Sequence, residues 1–154
     1  MKKNSIIIVL LMLLFSGCSV GQDKNMYEIN HDDINQSLED IEFDYNLPSK
    51  MPFEVVNIET SRPSLSQPLF TVDYMGEGEK YVTLDVTNSN VNFKLPEDPM
   101  EKEEVTVNEA DGVFMKNDHG AKILAWEEKE VSYELMTNSN LSKDTLVNVA
   151  ESFD

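Results

Sequence analysis

Residues 69–86 read LFTVDYMGEGEKYVTLDV, and the clearest signal of the fold lies in these residues. Apolar and polar side chains alternate on both sides of a central Gly-Glu-Gly. A period of two places the apolar side chains of a strand on one face, and a short glycine-containing connection is typical of a hairpin. We therefore expect two antiparallel strands. Their apolar positions are Phe70, Val72, Tyr74, Val82, Leu84 and Val86, and their polar positions are Thr71, Asp73, Thr83 and Asp85.

The same alternation recurs in the rest of the chain. It is found at Val91, Phe93 and Leu95, at Val105 and Val107, and at Val131, Tyr133 and Leu135. Turn residues separate these runs at positions 88–90, 111–112 and 117–120. A parallel sheet would need crossover helices, for which the chain has no room. The pattern predicts an antiparallel sheet of about seven or eight strands with one apolar and one polar face.

Two short amphipathic helices are predicted beside the sheet. Residues 32–42 place Ile34, Leu38 and Ile41 at helical spacing, with capping oxygens at Asn30 and Asp32. Near the end of the chain, Ser142 is suited to cap a second helix. The apolar stripe of that helix comprises Leu146, Val149, Ala150 and Phe153. The fold class is therefore α+β, with a single curved sheet packed on an N-terminal and a C-terminal helix.

The expected sheet is wider than two helices can cover. Seven or eight strands at about 4.8 Å span about 35 Å, whereas two helices of about 10 Å each cover little more than half of one face. A bare apolar strip is unfavourable in a monomer. The sheet can curl around the helices, split into two sheets, or leave an apolar groove for a ligand.

The first 17 residues have the layout of an export signal. Two lysines precede an unbroken apolar run over residues 6–15, and small residues follow at Ser16 and Gly17. Ten helical residues extend about 15 Å, half of the hydrocarbon core of a bilayer, so this run is too short to span a membrane. The polar, aperiodic residues 19–30 predict a flexible tether.

The stretch Leu14-Phe15-Ser16-Gly17-Cys18 resembles the lipobox of bacterial lipoproteins. In that family a diacylglyceryl group is attached to the cysteine sulfur, and the signal is cut just before the cysteine. The resemblance implies cleavage between Gly17 and Cys18 and lipid attachment at Cys18. The alternative is an ordinary signal peptide that happens to hold a buried cysteine. Two acyl chains anchor a protein stably, so the resemblance implies a domain held at the extracytoplasmic face of the cell membrane.

These assignments divide the chain into three parts. Residues 1–17 are expected to be the signal peptide, residues 18–30 the lipidated cysteine and linker, and residues 31–154 the α+β domain. The 154-residue chain has 29 acidic and 12 basic side chains, a net charge of −17. Cleavage would remove two lysines and leave −19, which anionic headgroups repel. Nucleic acid is not an expected partner, because the chain has one arginine, Arg62, and only scattered lysines to contact phosphates.

The sequence carries no familiar catalytic motif. With Cys18 assigned to lipid, no thiol nucleophile remains, and neither His31 nor His119 has an evident partner nucleophile. His119, beside Asp118, is expected to be a solvated turn residue. The acidic run over residues 97–104 is suited to Ca²⁺ or a basic partner, but is expected to be a solvated loop. We predict no catalytic residue, metal or cofactor.

The folded region resembles a domain of unknown function found in many bacterial lipoproteins and membrane-bound regulators. The resemblance is carried by residues 34–53, by Val105-Thr106-Val107-Asn108, and by the succession of Trp126, Tyr133 and the helix after Leu141. It extends distantly to lipoprotein-sorting carriers and periplasmic anti-sigma regulators, which wrap an antiparallel sheet over helices and hold acyl chains or lipoprotein signals. No catalytic residue is implied. Trp126 and Tyr133 themselves are expected in the core.

Two functions are compatible with these observations. The first is a membrane-anchored binding or sensory module without catalytic activity, whose partner is a protein or an amphiphile. The second is a carrier of acyl chains or other amphiphiles, which would lie in a groove between the sheet and the C-terminal helix.

Overall fold

The computed structural model describes residues 25–62, 69–88 and 100–154. The predicted cleavage and lipidation residues Gly17 and Cys18 lie outside the described residues. So does the predicted strand that contains Val91, Phe93 and Leu95.

The described chain forms a seven-stranded antiparallel sheet, a two-stranded antiparallel sheet and two helices. In chain order the elements are β1 (Tyr27–Glu28), α1 (Asp32–Leu38), β2 (Lys50–Met51), β3 (Val55–Ser61), β4 (Leu69–Gly76), β5 (Tyr81–Asn88), β6 (Glu101–Val107), β7 (Ala110–Lys116), β8 (Lys122–Glu128), β9 (Val131–Thr137) and α2 (Lys143–Ala150). The strand order of the large sheet is β3-β4-β5-β9-β8-β7-β6. The α+β class and the antiparallel sheet, predicted with about seven or eight strands, are confirmed with seven strands in the described residues, beside a separate two-stranded sheet.

The pairing of β5 with β9 joins two meanders into one sheet. Strands β3 to β5 form one meander, and strands β6 to β9 form the other. Leu84 pairs with Leu135, and the next position pairs Asp85 with Glu134. Because side chains alternate between faces, this register puts a leucine pair on one face and a carboxyl pair on the other.

Each face of the large sheet has a distinct composition. The aromatic face carries Phe70, Tyr74, Phe114, Trp126 and Tyr133, all of them buried. The acidic face carries Asp73, Asp85, Glu104, Glu127 and Glu134, which occupy the alternate positions.

The segment that runs from α1 to β2 contacts the aromatic face. The ring of Tyr45 lies 4.8 Å from that of Phe70, and the backbone N–H of Asn46 donates to the Tyr133 hydroxyl at 3.1 Å. From α1, the Ser37 hydroxyl hydrogen-bonds to that of Thr60 at 2.9 Å. In the strand pairing, Thr60 lies opposite Val72 of the same face.

Helix α2 begins as the sequence predicts. The Ser142 hydroxyl accepts a hydrogen bond from the backbone N–H of Thr145 at 3.1 Å, which satisfies a free donor of the first turn. The predicted stripe residues Leu146, Val149 and Ala150 are buried. Phe153 lies beyond the end of the helix, where it pairs with Pro48 and packs its ring 5.1 Å from Trp126.

Helix α1 is shorter than predicted. It ends at Leu38 instead of residue 42, and Ile41 closes a turn by donating its N–H to the Leu38 carbonyl at 3.0 Å. Glu39 and Asp40 follow directly, and the last turn has no basic side chain. Acidic groups at the negative end of a helix are unfavourable, which explains the early end.

Two loop predictions are wrong. Asp111 and Gly112 belong to β7, and the turn before them consists of Asn108 and Glu109. Asn108 has a positive φ of 52°, which asparagine tolerates well. The acidic run is not all loop, because Glu101–Glu104 form part of edge strand β6, where Lys116 of β7 pairs with Glu101 at 2.9 Å.

Residues at the end of the predicted tether take part in the folded structure. Tyr27 pairs with Met51 and Glu28 with Lys50 in the two-stranded sheet. A strand of two residues is too short to show periodicity in sequence.

A substitution at Phe70 tests the packing on the aromatic face. The side chain is fully buried and contacts the rings of Phe43 and Tyr45. We expect Phe70→Ala to lower the free energy of unfolding by about 3–5 kcal/mol, because a large cavity is left. Val56→Ala is the control, since Val56 is 59% exposed, and should change it by less than about 1 kcal/mol. Urea titration measures both, and a Phe70→Ala loss no larger than the control's would contradict the packing.

Candidate functional site

A trough of about 500 Å³ lies on the acidic face, over strands β6 to β9. Three of its side chains are short, namely Val113, Ala125 and Ser132, and these leave room between longer neighbours. The side chains of the acidic face that line it are Glu104, Asp111, Val113, Met115, Ala125, Glu127, Ser132 and Glu134. We call this depression the acidic trough.

Glu134 is the most unusual lining residue. Its side chain is on β9, only 3% of the residue is exposed, and its Oε2 atom has no hydrogen-bond partner. In the strand pairing it lies between Asp85 of β5 and Ala125 of β8. Burial of its carboxyl group, and secondarily the charge of Asp85, raise the pKa of Glu134 to about 7.

The neighbouring carboxylates are differently placed. The Thr71 hydroxyl donates to Asp85 Oδ1, and the Thr83 hydroxyl donates to Asp73 Oδ1. Burial is the main cause that raises the pKa of Asp85; the hydrogen bond from Thr71 lowers it and the charge of Asp73 raises it again. Each aspartate thus has a hydroxyl donor on a paired strand, whereas the Oε2 atom of Glu134 has none.

The lining charges have a single sign. Glu104, Asp111, Glu127 and Glu134 line the acidic trough, and no lysine, arginine or histidine of the described chain does. Several described lysines pair with acids elsewhere: Lys116 with Glu101, Lys129 with Glu128, and Lys143 with Glu103. The arrangement is therefore suited to a cationic group and repels an anionic one.

Of the residues singled out in the sequence, Trp126 and Tyr133 are among those that line the trough, with their side chains on the aromatic face, whereas His31 and His119 are not. His31 hydrogen-bonds through Nε2 to the Tyr74 hydroxyl at 3.2 Å, and burial lowers the pKa of His31. His119 is exposed in the turn between β7 and β8, as predicted, and its backbone N–H donates to Asn117 Oδ1 at 3.0 Å. Trp126 is buried and stacks on Tyr133 with ring centroids 5.1 Å apart, so the core assignment is confirmed.

Sequence reasoning missed Glu134 as a site residue. The alternation of β9 places it on the polar face, which is correct, but gives no sign that a polar-face residue is buried. Within residues 25–62, 69–88 and 100–154, no group of three or more histidine, cysteine, aspartate or glutamate side chains is arranged to hold a metal ion. No helix of this described region has the length and apolarity to cross a bilayer.

Comparison with known proteins assigns the chain to a family. A family model described as a domain of unknown function, DUF4367, matches residues 40–153. The chain belongs to this family. The matched range includes β2 to β9 and α2, and therefore every residue that lines the acidic trough of this DUF4367 domain. No curated protein and no solved structure matches the chain.

The buried carboxyl predicts a pH dependence of stability. The folded-state pKa of Glu134, about 7, exceeds its ordinary value of 4.5, so the folded state holds a proton that the unfolded state has lost. The protonated Glu134 side chain therefore makes its full contribution to folding stability below about pH 4.5. This contribution is lost as the pH rises through 7. The charged group that faces Glu134 is Asp85 from β5, which opposes its ionisation; Ala125 of β8 faces it from the other side and does not titrate.

We expect Glu134→Gln to raise the free energy of unfolding at pH 8 by about 1–3 kcal/mol relative to the native chain, with little difference at pH 4.5. Glu109→Gln, which neutralises an exposed turn residue, is the matched control and should show no such pH dependence. Urea titrations at the two pH values measure the difference. A Glu134→Gln effect equal to that of the control at pH 8 would contradict the environment described for this carboxyl.

Proposed function

We propose that this DUF4367 protein is a lipid-anchored binding module at the extracytoplasmic face of the cell membrane, without catalytic activity, and that the acidic trough is its ligand site. The observation that carries the proposal is the trough itself. Its volume, about 500 Å³, lies in the range of small-ligand sites, and its lining combines apolar side chains with a few convergent polar groups. A buried, unpartnered carboxyl with a raised pKa is also typical of functional sites.

The anchor belongs to the same proposal. The lipobox-like stretch that ends at Cys18 supports lipid attachment, and the net charge of −17 would otherwise keep the domain away from anionic headgroups. We further propose that the sheet curves around α1 and α2, which leaves its acidic face free to receive a ligand.

The second candidate, an acyl-chain carrier, would use the space between the sheet and α2. Here Trp126, Tyr133 and Phe153 contact one another, with centroid distances of 5.1 to 5.3 Å. A ligand at this position would have to separate three packed rings. The acidic trough requires no such movement, which favours the binding module.

The anchor is tested by the chemistry at Cys18. We expect the mature protein from its host to begin at Cys18, to carry a diacylglyceryl mass, and to enter the detergent phase of a two-phase extraction, because two acyl chains dominate its partitioning. Cys18→Ala should lose incorporation of labelled fatty acid, whereas Ser19→Ala, one residue away, should retain it. A mature protein without lipid, or label retained in Cys18→Ala, would refute the anchor.

The trough is tested by filling it. We expect at least one probe among hexylamine, hexanol and hexanoate to shift the amide resonances of β7, β8 and β9 in the native protein. Ala125→Trp should abolish the shifts, because its side chain would occupy the trough. Thr106→Trp is the control, since Thr106 is exposed on the same face but does not line the trough. Circular dichroism checks that both variants fold, and the absence of any shift from all three probes would refute the site.

A further inference from the structure

The Oε2 atom of Glu134 is a hydrogen-bond acceptor without a donor. Buried polar groups in proteins nearly always have hydrogen-bond partners, since a buried group without one lowers stability by about 1–3 kcal/mol. The cost is larger when the group is a carboxylate. The Oε2 atom is closed off from solvent, although Glu134 is among the residues that line the trough. An unpartnered acceptor at this depth is either a cost without benefit or half of an interaction that a ligand completes when the side chain turns toward it.

The described chain does not supply the missing donor. Thr83 and Thr87 of β5 are the hydroxyl residues nearest to Glu134 in the strand pairing. Thr83 already donates to Asp73, and Thr87 Oγ1 is buried and makes no hydrogen bond in this structure, to Glu134 or to any other group. On the other side, Glu134 lies opposite Ala125, which has no polar side-chain atom. The described chain thus leaves Glu134 Oε2 without a donor, and a bound molecule would supply one.

The charge of the lining restricts what that molecule carries. Glu104, Asp111 and Glu127 surround the same space as Glu134, and no basic side chain of the described chain is among the lining residues. A carboxylate or phosphate would meet only like charge. A hydroxyl would donate a hydrogen bond but would gain little from the negative field. A protonated amine both donates and is attracted by every lining acid.

The remaining lining restricts the rest of the ligand. Val113 and Ala125 are half-buried apolar residues of the lining, and Met115, which is 1% exposed, adds buried apolar packing beside them. Methionine adapts its shape to an inserted aliphatic chain. The volume of about 500 Å³ fits a small molecule more readily than a folded protein segment.

We propose that the acidic trough binds a small molecule with a primary ammonium group on an aliphatic chain, and that Glu134 is the partner of the ammonium group. The inference rests on the proposed function, since it specifies the ligand of the same site. The ammonium occupies the space beside Glu134 Oε2, and the aliphatic chain lies along Val113 and Met115.

Binding of a cation favours the ionised carboxylate, so it displaces the proton that Glu134 holds at lower pH. Because the pKa of Glu134 is about 7, its carboxyl group is protonated at pH 5.5 and ionised at pH 8. Amine binding is therefore weaker at pH 5.5, where it releases a proton from Glu134. Asp85 from β5 faces the same group and adds to its attraction for a cation; the facing residue of β8, Ala125, does not titrate. The three other lining acids lie farther along the trough and contribute to its negative field.

The experiment compares hexylamine with hexanol and hexanoate on the full mature protein in non-ionic detergent micelles, by amide shifts and calorimetry. We expect hexylamine to bind at least tenfold more tightly than hexanol at pH 8, and hexanoate not to bind. Glu134→Gln should weaken hexylamine about tenfold or more and remove the pH dependence, because a charge-assisted hydrogen bond is lost. Glu109→Gln, an exposed acid outside the trough, should leave the affinity unchanged.

The outcomes separate this inference from the proposed function. Equal binding of hexylamine and hexanol, unaffected by Glu134→Gln, would overturn the ammonium site and leave the trough as a ligand site. Binding of a tri-lysine peptide without binding of hexylamine would overturn it in favour of a protein partner. Shifts from none of the probes would overturn both the inference and the proposed function.

Discussion

The structure depends on one strand pairing, that of β5 with β9. This pairing joins the two meanders, and it comes from residues about fifty positions apart in the chain. Its register sets Leu84 against Leu135 on the aromatic face and Asp85 against Glu134 on the acidic face. A slip of one residue would exchange the two faces and bury the carboxyl groups in the core. The register that builds the core thus also builds the carboxyl pair.

The buried carboxyl group of the acidic face lowers the stability of the fold, and packing on the aromatic face offsets this loss. Glu134 is buried, lies beside a second carboxyl group, and has an oxygen without a partner. Each of these features works against stability. The opposite face packs Trp126, Tyr133 and Phe153 into mutual contact, with further burial from α2. Local features that oppose stability within an otherwise consistent fold are expected at functional sites.

The sequence predicts the features that rest on local pattern. The alternation in residues 69–86 is confirmed by the buried positions of β4 and β5, and Ser142 caps α2 through its own hydroxyl. Prediction from the sequence fails where the local residues give no signal, or a misleading one, of a turn. The turn at Lys129 and Glu130 has positive φ at both residues, yet contains neither glycine nor asparagine, so no turn signal marks it. Residues 111–112 carry such a signal and lie in a strand, where Gly112 allows close approach to Trp126.

Burial of Glu134 could not be predicted for a related reason. Its sequence neighbours Ser132 and Met136 show which face it occupies, but its environment is made by Asp85 and Ala125, which are brought beside it only by strand pairing.

An NMR titration that follows the chemical shift of the Glu134 side-chain carboxyl carbon against pH tests this environment most directly. The account predicts a midpoint near pH 7 in the free protein, which moves to lower pH when hexylamine binds. A midpoint near 4.5, unchanged by hexylamine, would contradict it.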